Sequence, residues 1–371
     1  MPNFIRPVYL GLLFHPMMTI SICTAVHANT SPMALSSPKD SIYPNIDRGL
    51  SESLYHNEAT TAEKIADIIE MSIRKEYSTG IALRDAHPKA HGCVRAEFKI
   101  DEALPKNLAQ GIFLPGKTYQ AWIRFSNGSS DAKQADIKRD ARGMAIKLLD
   151  DAASTQDFIM INHPVFFVND PSRYMSFMQD INSDRLLKKL HIPFALGAKG
   201  TWIALNSRNK ISNPLQTRYW SMVPYQLGLG SDRQAVKYSA RACSTVIDPM
   251  PEKPSHDFLR DALRNSLQKG DACMEFLIQP RTSSTMSVED SMTEWKESQA
   301  PFYKVATIRI PQQVFDTPDQ NKFCENLSFT PWHTLPEHKP LGAINRMRKV
   351  IYDRISQVRH EMNSTNRLEP H

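Results

Sequence analysis

The sequence predicts an α+β fold built on antiparallel strands, and the order of its elements is the reason. Short strand-like segments follow one another through much of the chain, one amphipathic helix precedes them and another follows them. Strands in runs favour an antiparallel sheet, because parallel strands need a helix between each pair. The 371 residues, 41% of them hydrophobic, suffice for one large domain or for two ordinary ones.

Two helices frame the predicted sheet. The first has Thr60 or Thr61 as its N-cap, and the second covers residues 341–360. Apolar side chains recur along each helix at three- and four-residue intervals, which predicts one buried face per helix. They are Ile65, Ile68, Ile69 and Ile73 in the first helix, and Ile344, Met347, Ile351, Ile355 and Val358 in the second.

Seven segments are predicted strands, because apolar residues alternate in them or run continuously. They cover residues 93–100, 119–125, 143–149, 158–161, 165–168, 274–278 and 303–310. Residues 172–235 mix helical patches with proline and glycine turns. The chain contains no internal repeat, no Walker loop and no GxGxxG motif, so nothing indicates a nucleotide-binding α/β fold.

The first 28 residues have the layout of a secretory signal peptide. Arg6 precedes an apolar stretch at residues 7–25, and Ala28 provides the small residue expected at a cleavage position. The alternative is a membrane anchor, which needs about 20 cleanly apolar residues. We therefore expect a secreted, periplasmic protein without stable membrane insertion.

Four parts of the chain are expected. Residues 1–28 are the signal peptide, 29–58 a loose N-terminal arm, 59–363 the main domain and 364–371 a C-terminal tail. Removal of the signal leaves four cysteines without CxxC spacing, so neither a zinc site nor a redox motif is indicated and their pairing stays open. These are Cys93, Cys243, Cys273 and Cys324. The net charge of +6 is scattered, which argues against nucleic-acid binding.

The predicted C-terminal helix carries a tyrosine between two arginines. Offsets of four and seven residues place Arg348, Tyr352 and Arg359 along one line of the helix. A phenol has an ordinary pKa of about 10, and a guanidinium one turn away favours its anion, the form that binds ferric iron. The alternative is a surface helix with scattered arginines, since this spacing is common by chance.

A second cluster, residues 84–91, contains two histidines. An imidazole can take a proton from one atom of a substrate and return it to another. His87 precedes Pro88 and is expected to be extended, which argues against a metal-binding pair of His87 and His91 on one helix face. The alternative is a solvated histidine in a polar loop.

A third cluster extends from residue 122 to residue 167. It contains Arg124-Phe-Ser, then an arginine- and glycine-rich run at 139–147, then Asn162-His-Pro followed by Phe166 and Phe167. Two aromatic residues after a polar turn suit the wall of a flat apolar cofactor site, and they equally suit an ordinary core strand.

Taken together and in order, these clusters resemble the haem catalase superfamily, in particular its small, secreted catalase-related peroxidases. The similarity covers about residues 80–360, and residues 329–346 are typical of the small subgroup. Arg84-x-x-His87 resembles the family's distal-histidine motif, and Arg348-x-x-x-Tyr352 with Arg359 resembles its proximal helix. The runs at 124–147 and 164–167 resemble its strand signature and its distal wall.

The resemblance implies a single-domain antiparallel β-barrel with surrounding helices. Haem b (iron protoporphyrin IX) would lie between the barrel and the C-terminal helix. Tyr352 would be the axial ligand of the iron, Arg348 would keep it ionised, and His87 would be the distal acid–base. Arg84, Arg124 and Arg359 would bind the propionates, and Phe166 would pack on the porphyrin face.

One position departs from the family pattern. Catalases often place an asparagine three residues before the proline of the distal wall, and without a gap that position here is Ile161. Either the turn shifts so that Asn162 serves as the second catalytic group, or this group is absent.

The expected function is that of a haem-dependent peroxidase. It would reduce hydrogen peroxide or organic hydroperoxides with an unknown electron donor, and weak catalase activity would accompany this reaction. The alternatives are a lipid-hydroperoxide isomerase or lyase and a haem-binding protein without turnover. Because the chain lacks the extra domain of large catalases, we expect a monomer or a small homo-oligomer.

Overall fold

Nine strands pair into one antiparallel sheet in residues 43–149 and 155–368, the part of the chain that the computed structural model describes. The strands are β1 (Ala90–Ile100), β2 (Thr118–Asn127), β3 (Arg142–Leu149), β4 (Thr155–Ile161), β5 (Tyr219–Trp220), β6 (Tyr225–Leu227), β7 (Gln234–Ala242), β8 (Ala272–Pro280) and β9 (Tyr303–Ile310). The helices of the same part are α1 (Glu58–Glu76), α2 (Pro171–Ile181), α3 (Leu186–Asn206), α4 (Phe258–Lys269), α5 (Pro318–Asn326) and α6 (Ala343–Met362). The α+β fold with antiparallel pairing is confirmed.

The sheet closes on itself. Its strand order is β5-β4-β3-β2-β1-β9-β8-β7-β6, and β5 also pairs with β7. Because β5 and β6 pair with successive stretches of β7, these two short strands together fill one position of an eight-position barrel. Closure leaves the wall without a free edge between β5 and β7.

Aromatic side chains fill the barrel. Phe98 from β1, Phe158 from β4, Tyr238 from β7 and Phe276 from β8 are buried, and Phe158 lies within 4.9 Å (ring centroids) of both Tyr238 and Phe276. The interior is therefore a packed core, and a ligand of any size must bind outside it.

The two framing helices pack against each other outside the barrel. Helix α1 begins at Glu58, two residues before the predicted cap, and buries Ile65, Ile69 and Ile73. Helix α6 buries the predicted apolar stripe. The two helices are in contact, and each thereby buries part of its apolar face against the other.

The predicted strand at residues 165–168 is wrong. This segment is a buried loop, in which the Phe166 backbone N–H donates to the Ser291 carbonyl at 2.9 Å. Val165 and Val168 are buried against other elements, and burial produces the same apolar run in a loop as in a strand. Within residues 172–235 the structure also places β5, β6 and the start of β7, which the sequence pattern did not indicate.

The described part of the N-terminal arm is not loose. Arg346 of α6 is fully buried and pairs with Glu52 at 2.6 Å, with Glu58 at 2.7 Å and with Glu289 at 3.0 Å. Glu52 also accepts from the Gly342 N–H at 2.8 Å, and Glu289 from the Ala343 N–H at 2.7 Å. Carboxylates at a helix N-terminus are favourable, so the arm fixes the start of α6. The predicted signal peptide, residues 29–42 and residues 369–371 lie outside the described residues.

Two disulfides join elements that are distant in sequence. Cys93 of β1 bonds Cys324 of α5, and Cys243, next to β7, bonds Cys273 of β8. The structure thus pairs the four cysteines whose partners the sequence left open. In the described part, no helix is both long and apolar enough to cross a bilayer.

Replacing Arg346 with methionine is expected to lower the free energy of unfolding by about 3–5 kcal/mol, because three carboxylates lose their buried partner. Urea unfolding followed by circular dichroism measures the change. Arg354→Met on the same helix is the control, since Arg354 pairs with Glu63, Asp67 and Glu70 at a partly exposed site. Its loss is expected to stay below about 1 kcal/mol. Equal losses in the two variants would contradict the structural role of Arg346.

Candidate active site

A cavity lies between the outer wall of the barrel and helix α6. Its empty volume, counted out to the open mouth and including solvent there, is about 990 Å³. Strands β2, β3 and β4, the segment 327–330, α1 and α6 contribute its walls. Large apolar residues make up much of the lining, among them Met144, Ile159, Met160, Phe329, Ile351 and Ile355. The cavity therefore suits a large, flat, mostly apolar ligand.

Tyr352 and Arg348 meet on the α6 side of this cavity. The Arg348 Nη2 donates to the Tyr352 hydroxyl at 2.9 Å, and the guanidinium carbon lies 5.0 Å from the centre of the tyrosine ring. Burial alone would lower the pKa of Arg348, but the nearby Tyr352 and Tyr225 raise it overall. A permanently charged guanidinium in contact with a phenol stabilises the phenolate. The four-residue spacing predicted this contact.

His87 lies on the barrel side of the cavity and is not extended as expected. Its φ is 61°, the left-handed region, which is unfavourable for a residue other than glycine. The Arg124 Nη2 donates to the His87 carbonyl at 2.8 Å and so holds this conformation. His91 lies apart, with its Nε2 2.9 Å from the Asn127 Oδ1, so the two histidines do not form a pair. The described residues hold no cluster of three His, Cys, Asp or Glu side chains for a metal ion.

The His87 ring is fixed by two residues of the barrel wall. Its Nδ1 lies 3.1 Å from the Ser126 Oγ. A Cβ atom at position 143 would lie 2.5 Å from the same Nδ1, so only glycine there lets the ring approach β3. Burial, assisted by the charge of Arg124, lowers the pKa of His87 to about 4. The imidazole is therefore neutral at pH 7 and can accept a proton.

Three predicted propionate partners converge at one end of the cavity. Arg84 and Arg359 each pair with Glu325 at 2.7 Å, and Arg124 is buried beside them. Burial and the charge of Arg84 lower the pKa of Arg124 to about 9 and that of Arg359 to about 10. The buried Arg124 Nε has no hydrogen-bond partner in the structure. Three cations therefore face a single carboxylate, and the cluster has room for further negative charge.

Asn162 and Phe166 are not brought to the cavity lining. The Asn162 amide oxygen accepts from the Arg142 backbone N–H at 2.7 Å, next to the barrel rim. Phe166 packs on Phe167, with ring centroids 4.4 Å apart, and against Tyr174. Asn162 follows the last β3–β4 pair, Gly143 with Ile161, and bonds the backbone of Arg142 through both its side chain and its own N–H. The catalytic role predicted for Asn162 and the porphyrin contact predicted for Phe166 therefore stay predictions, and the placement of the two residues does not support them.

Three residues of the site were missed by sequence reasoning. They are Ser126, which the sequence shows only as part of the strand motif Arg124-Phe-Ser, together with Asp85 and Glu325. Asp85 lines the cavity two residues before His87, and burial, with the charge of Glu76, raises its pKa to about 6. A signal for Asp85 was its position inside the Arg84–His87 motif, whereas nothing in the sequence places Glu325 near Arg84.

The wall segment 327–330 is held from both sides. The disulfide Cys93–Cys324 anchors the helix that precedes it. The Thr330 N–H donates to the Asp157 carboxylate at 3.0 Å, and the buried Lys147 pairs with the same carboxylate at 2.9 Å. The cavity is thus formed between rigid elements, which preorganises it for a ligand.

The sequence and the fold were each compared with known proteins, and both are similar to catalases. The catalase family model matches residues 66–189. A peroxisomal catalase of Candida tropicalis is 21% identical over 282 residues, which cover 69% of this chain and 56% of the relative. A catalase-related peroxidase of Mycolicibacterium paratuberculosis is 26% identical over 214 residues, 55% of this chain and 67% of the relative. The solved structure of a fungal catalase matches the fold with a TM-score of 0.62 at 17% identity, over 80% of this chain and 64% of that one.

The fold and the cavity beside α6 thus define a catalase-like β-barrel protein. In the sequence of residues 66–189 and in its fold, the chain is similar to the catalases. It spans little more than half the length of the peroxisomal relative, 56%.

Gly143→Ala is expected to push the His87 ring away from Ser126, because the added Cβ would lie 2.5 Å from Nδ1. We expect the fold to be retained and the pKa of His87, followed by NMR titration of its ring protons, to rise toward the ordinary value of about 6.5. Gly270→Ala is the control, since no atom lies within 4 Å of a Cβ at that position. A His87 titration unchanged in Gly143→Ala would contradict the tight contact.

Proposed function

We propose that this protein is a haem-dependent peroxidase that reduces hydrogen peroxide or organic hydroperoxides. The observation that carries the proposal is the pairing of the Tyr352 hydroxyl with Arg348 in the cavity that His87 also lines. The similarity to catalases supports a peroxide-decomposing activity, and the finer assignment as a peroxidase is ours.

The residues of the cavity fit haem b. Its porphyrin is flat and apolar, like the lining, and its two propionates suit the excess positive charge of Arg84, Arg124 and Arg359 over Glu325. The unpartnered Arg124 Nε is a further donor for a carboxylate. Tyrosine is one of the axial ligands that haem iron accepts, and Tyr352 is the residue we assign to it.

Haem, when bound, supplies an iron that accepts the oxidising equivalents of the peroxide O–O bond and regains its resting state from an electron donor. The Arg348 guanidinium donates to the Tyr352 hydroxyl at 2.9 Å, so it places a positive charge beside the oxygen that we assign to the iron. Ser126 holds Nδ1 of His87, so we assign Nε2 to the substrate. Being neutral, His87 takes a proton from one peroxide oxygen and returns it to the other as the bond breaks.

Peroxidase activity is favoured over efficient catalase activity by the position of Asn162. Its amide oxygen accepts from the Arg142 backbone N–H, and Asn162 is not among the residues that line the cavity. Asp85 lines the cavity instead, with a pKa near 6. We propose that it is the second titratable group of the site.

We further propose that residues 59–363 form the haem domain and that the protein is secreted to an oxidising compartment. The disulfides Cys93–Cys324 and Cys243–Cys273 support this location, since cytosolic thiols stay reduced. A monomer or a small homo-oligomer is the assembly we propose.

Two substitutions test the proposal. Tyr352→Phe removes the axial oxygen and is expected to abolish or strongly shift the Soret band after titration with haemin. His87→Ala is expected to retain haem and to lower the rate of peroxide consumption by about 10²–10⁴-fold, the usual contribution of a general acid–base. Absorbance spectra and oxidation of a phenolic donor after peroxide addition measure both effects.

The matched control is Tyr303→Phe, a half-exposed tyrosine of β9 far from α6 in the sequence. It is expected to leave haem binding and rate unchanged. Full haem content and full activity in Tyr352→Phe would overturn the proposal. Retained haem with an unchanged rate in His87→Ala would instead favour a haem-binding protein without a catalytic role for His87.

A second candidate function is isomerisation or cleavage of a lipid hydroperoxide. The apolar lining and the absence of Asn162 from it favour a substrate larger and less polar than hydrogen peroxide. Product analysis with a fatty-acid hydroperoxide separates the two functions. Peroxidase chemistry gives the corresponding alcohol and needs an added reductant, whereas an isomerase or lyase gives rearranged or cleaved products without one.

A further inference from the structure

Helix α3 presents a large apolar surface to solvent. It buries Ala195, Leu196, Gly200 and Ile203 on its inner side. Six large apolar side chains on its outer side are between 60% and 80% exposed, and we call them the α3 surface: Leu186, Leu187, Leu190, Phe194, Trp202 and Leu205. They are one third of the 18 exposed large apolar residues in the described chain, gathered in 21 residues. Such a concentration marks an interaction surface rather than chance exposure.

The charges around the α3 surface have one sign. Helix α3 contains no Asp or Glu, and Arg185, Lys188 and Lys189 lie among its first leucines. The neighbouring carboxylates are already engaged. Asp180 is buried and lies 2.7 Å from the His191 Nδ1 and 3.5 Å from the Lys188 Nζ, and Asp184 pairs with Lys75. The surface therefore offers apolar side chains rimmed by cations.

An exposed apolar helix can be covered by either of two occupants. One is a second copy of this chain, and the other is a lipid surface. A two-fold contact would pair this surface with itself, and because α3 contains no Asp or Glu the helix of the second copy would offer no opposite charge to Lys188 and Lys189. An anionic lipid surface instead attracts these lysines while its acyl region accepts the leucines. Trp202 adds a residue type that favours the membrane–water boundary. The charge pattern therefore favours lipid.

We propose that the α3 surface docks this protein on anionic lipid, with the helix lying in the headgroup region. The apolar side chains enter the boundary, and Arg185, Lys188, Lys189 and Lys199 contact headgroup phosphates. The helix breaks at Gly197, where φ is 70°, and Lys199 after the break donates to the Thr293 hydroxyl at 2.9 Å, so a headgroup phosphate would have to compete with that bond. Docking of this kind is peripheral, so it is compatible with the absence of a membrane-spanning helix in the described residues. It does not depend on haem or on the peroxidase activity.

The experiment is co-sedimentation of the full chain with vesicles of phosphatidylglycerol and phosphatidylcholine, and with vesicles of phosphatidylcholine alone. We expect binding to the anionic vesicles that weakens as salt rises, because exposed charges are screened. The double variants Leu187→Ser/Phe194→Ser and Lys188→Gln/Lys189→Gln are each expected to reduce the partition coefficient about tenfold or more. The N-terminal segment is common to all variants, so the difference between them reports on α3.

Val246→Ser/Ile247→Ser is the matched control. Both residues are 69% exposed but lie in the loop after β7, so the partition coefficient should not change. Circular dichroism confirms that each variant is folded. An equal partition coefficient for wild type and Leu187→Ser/Phe194→Ser would overturn the proposal. A second result would also overturn the proposal. If the wild type is a dimer by light scattering, the Leu187→Ser/Phe194→Ser variant is a monomer and the wild type does not bind anionic vesicles, then a second copy is the occupant.

Discussion

Arg346 is buried at the start of α6, with three carboxylates around one guanidinium. Glu52 and Glu58 come from the N-terminal arm and α1, and Glu289 comes from the loop between β8 and β9. Because two of these carboxylates also accept from the first N–H groups of α6, the helix cannot rotate or slide without losing buried ion pairs. Three distant parts of the chain thus fix the position of one helix.

The active-site proposal depends on that position. Two turns along α6 from Arg346, Tyr352 faces the cavity, with Arg348 between them bonded to its hydroxyl. Arg359 follows at the far end and reaches Glu325. One helix therefore supplies the ligand we assign to iron, the cation that donates to it and one cation we assign to a propionate. The barrel supplies the opposite wall, where Gly143 and Ser126 set the orientation of His87.

Several parts of this arrangement could be predicted from local sequence. The stripe of α6 and the four-residue step from Arg348 to Tyr352 are set by helix geometry, and both appear in the structure. The strand at residues 165–168 could not be judged correctly, because burial in a loop imitates a strand. Asn162 illustrates a second limit. A shift of one residue at the end of β4 decides whether its amide meets His87 or the backbone of Arg142, and only the pairing of β3 with β4 sets that shift.

The sequence by itself determined the antiparallel α+β class, the two framing helices and the resemblance to catalases, because periodicity and motif spacing are local properties of the chain. The tertiary structure decided which groups meet across long separations. Glu325 joins Arg84 and Arg359, Asp85 enters the cavity and Cys93 pairs with Cys324 through contacts that span up to 241 residues. It also decided that α3 exposes Leu186, Leu187, Leu190 and Leu205, because exposure depends on what the rest of the chain covers.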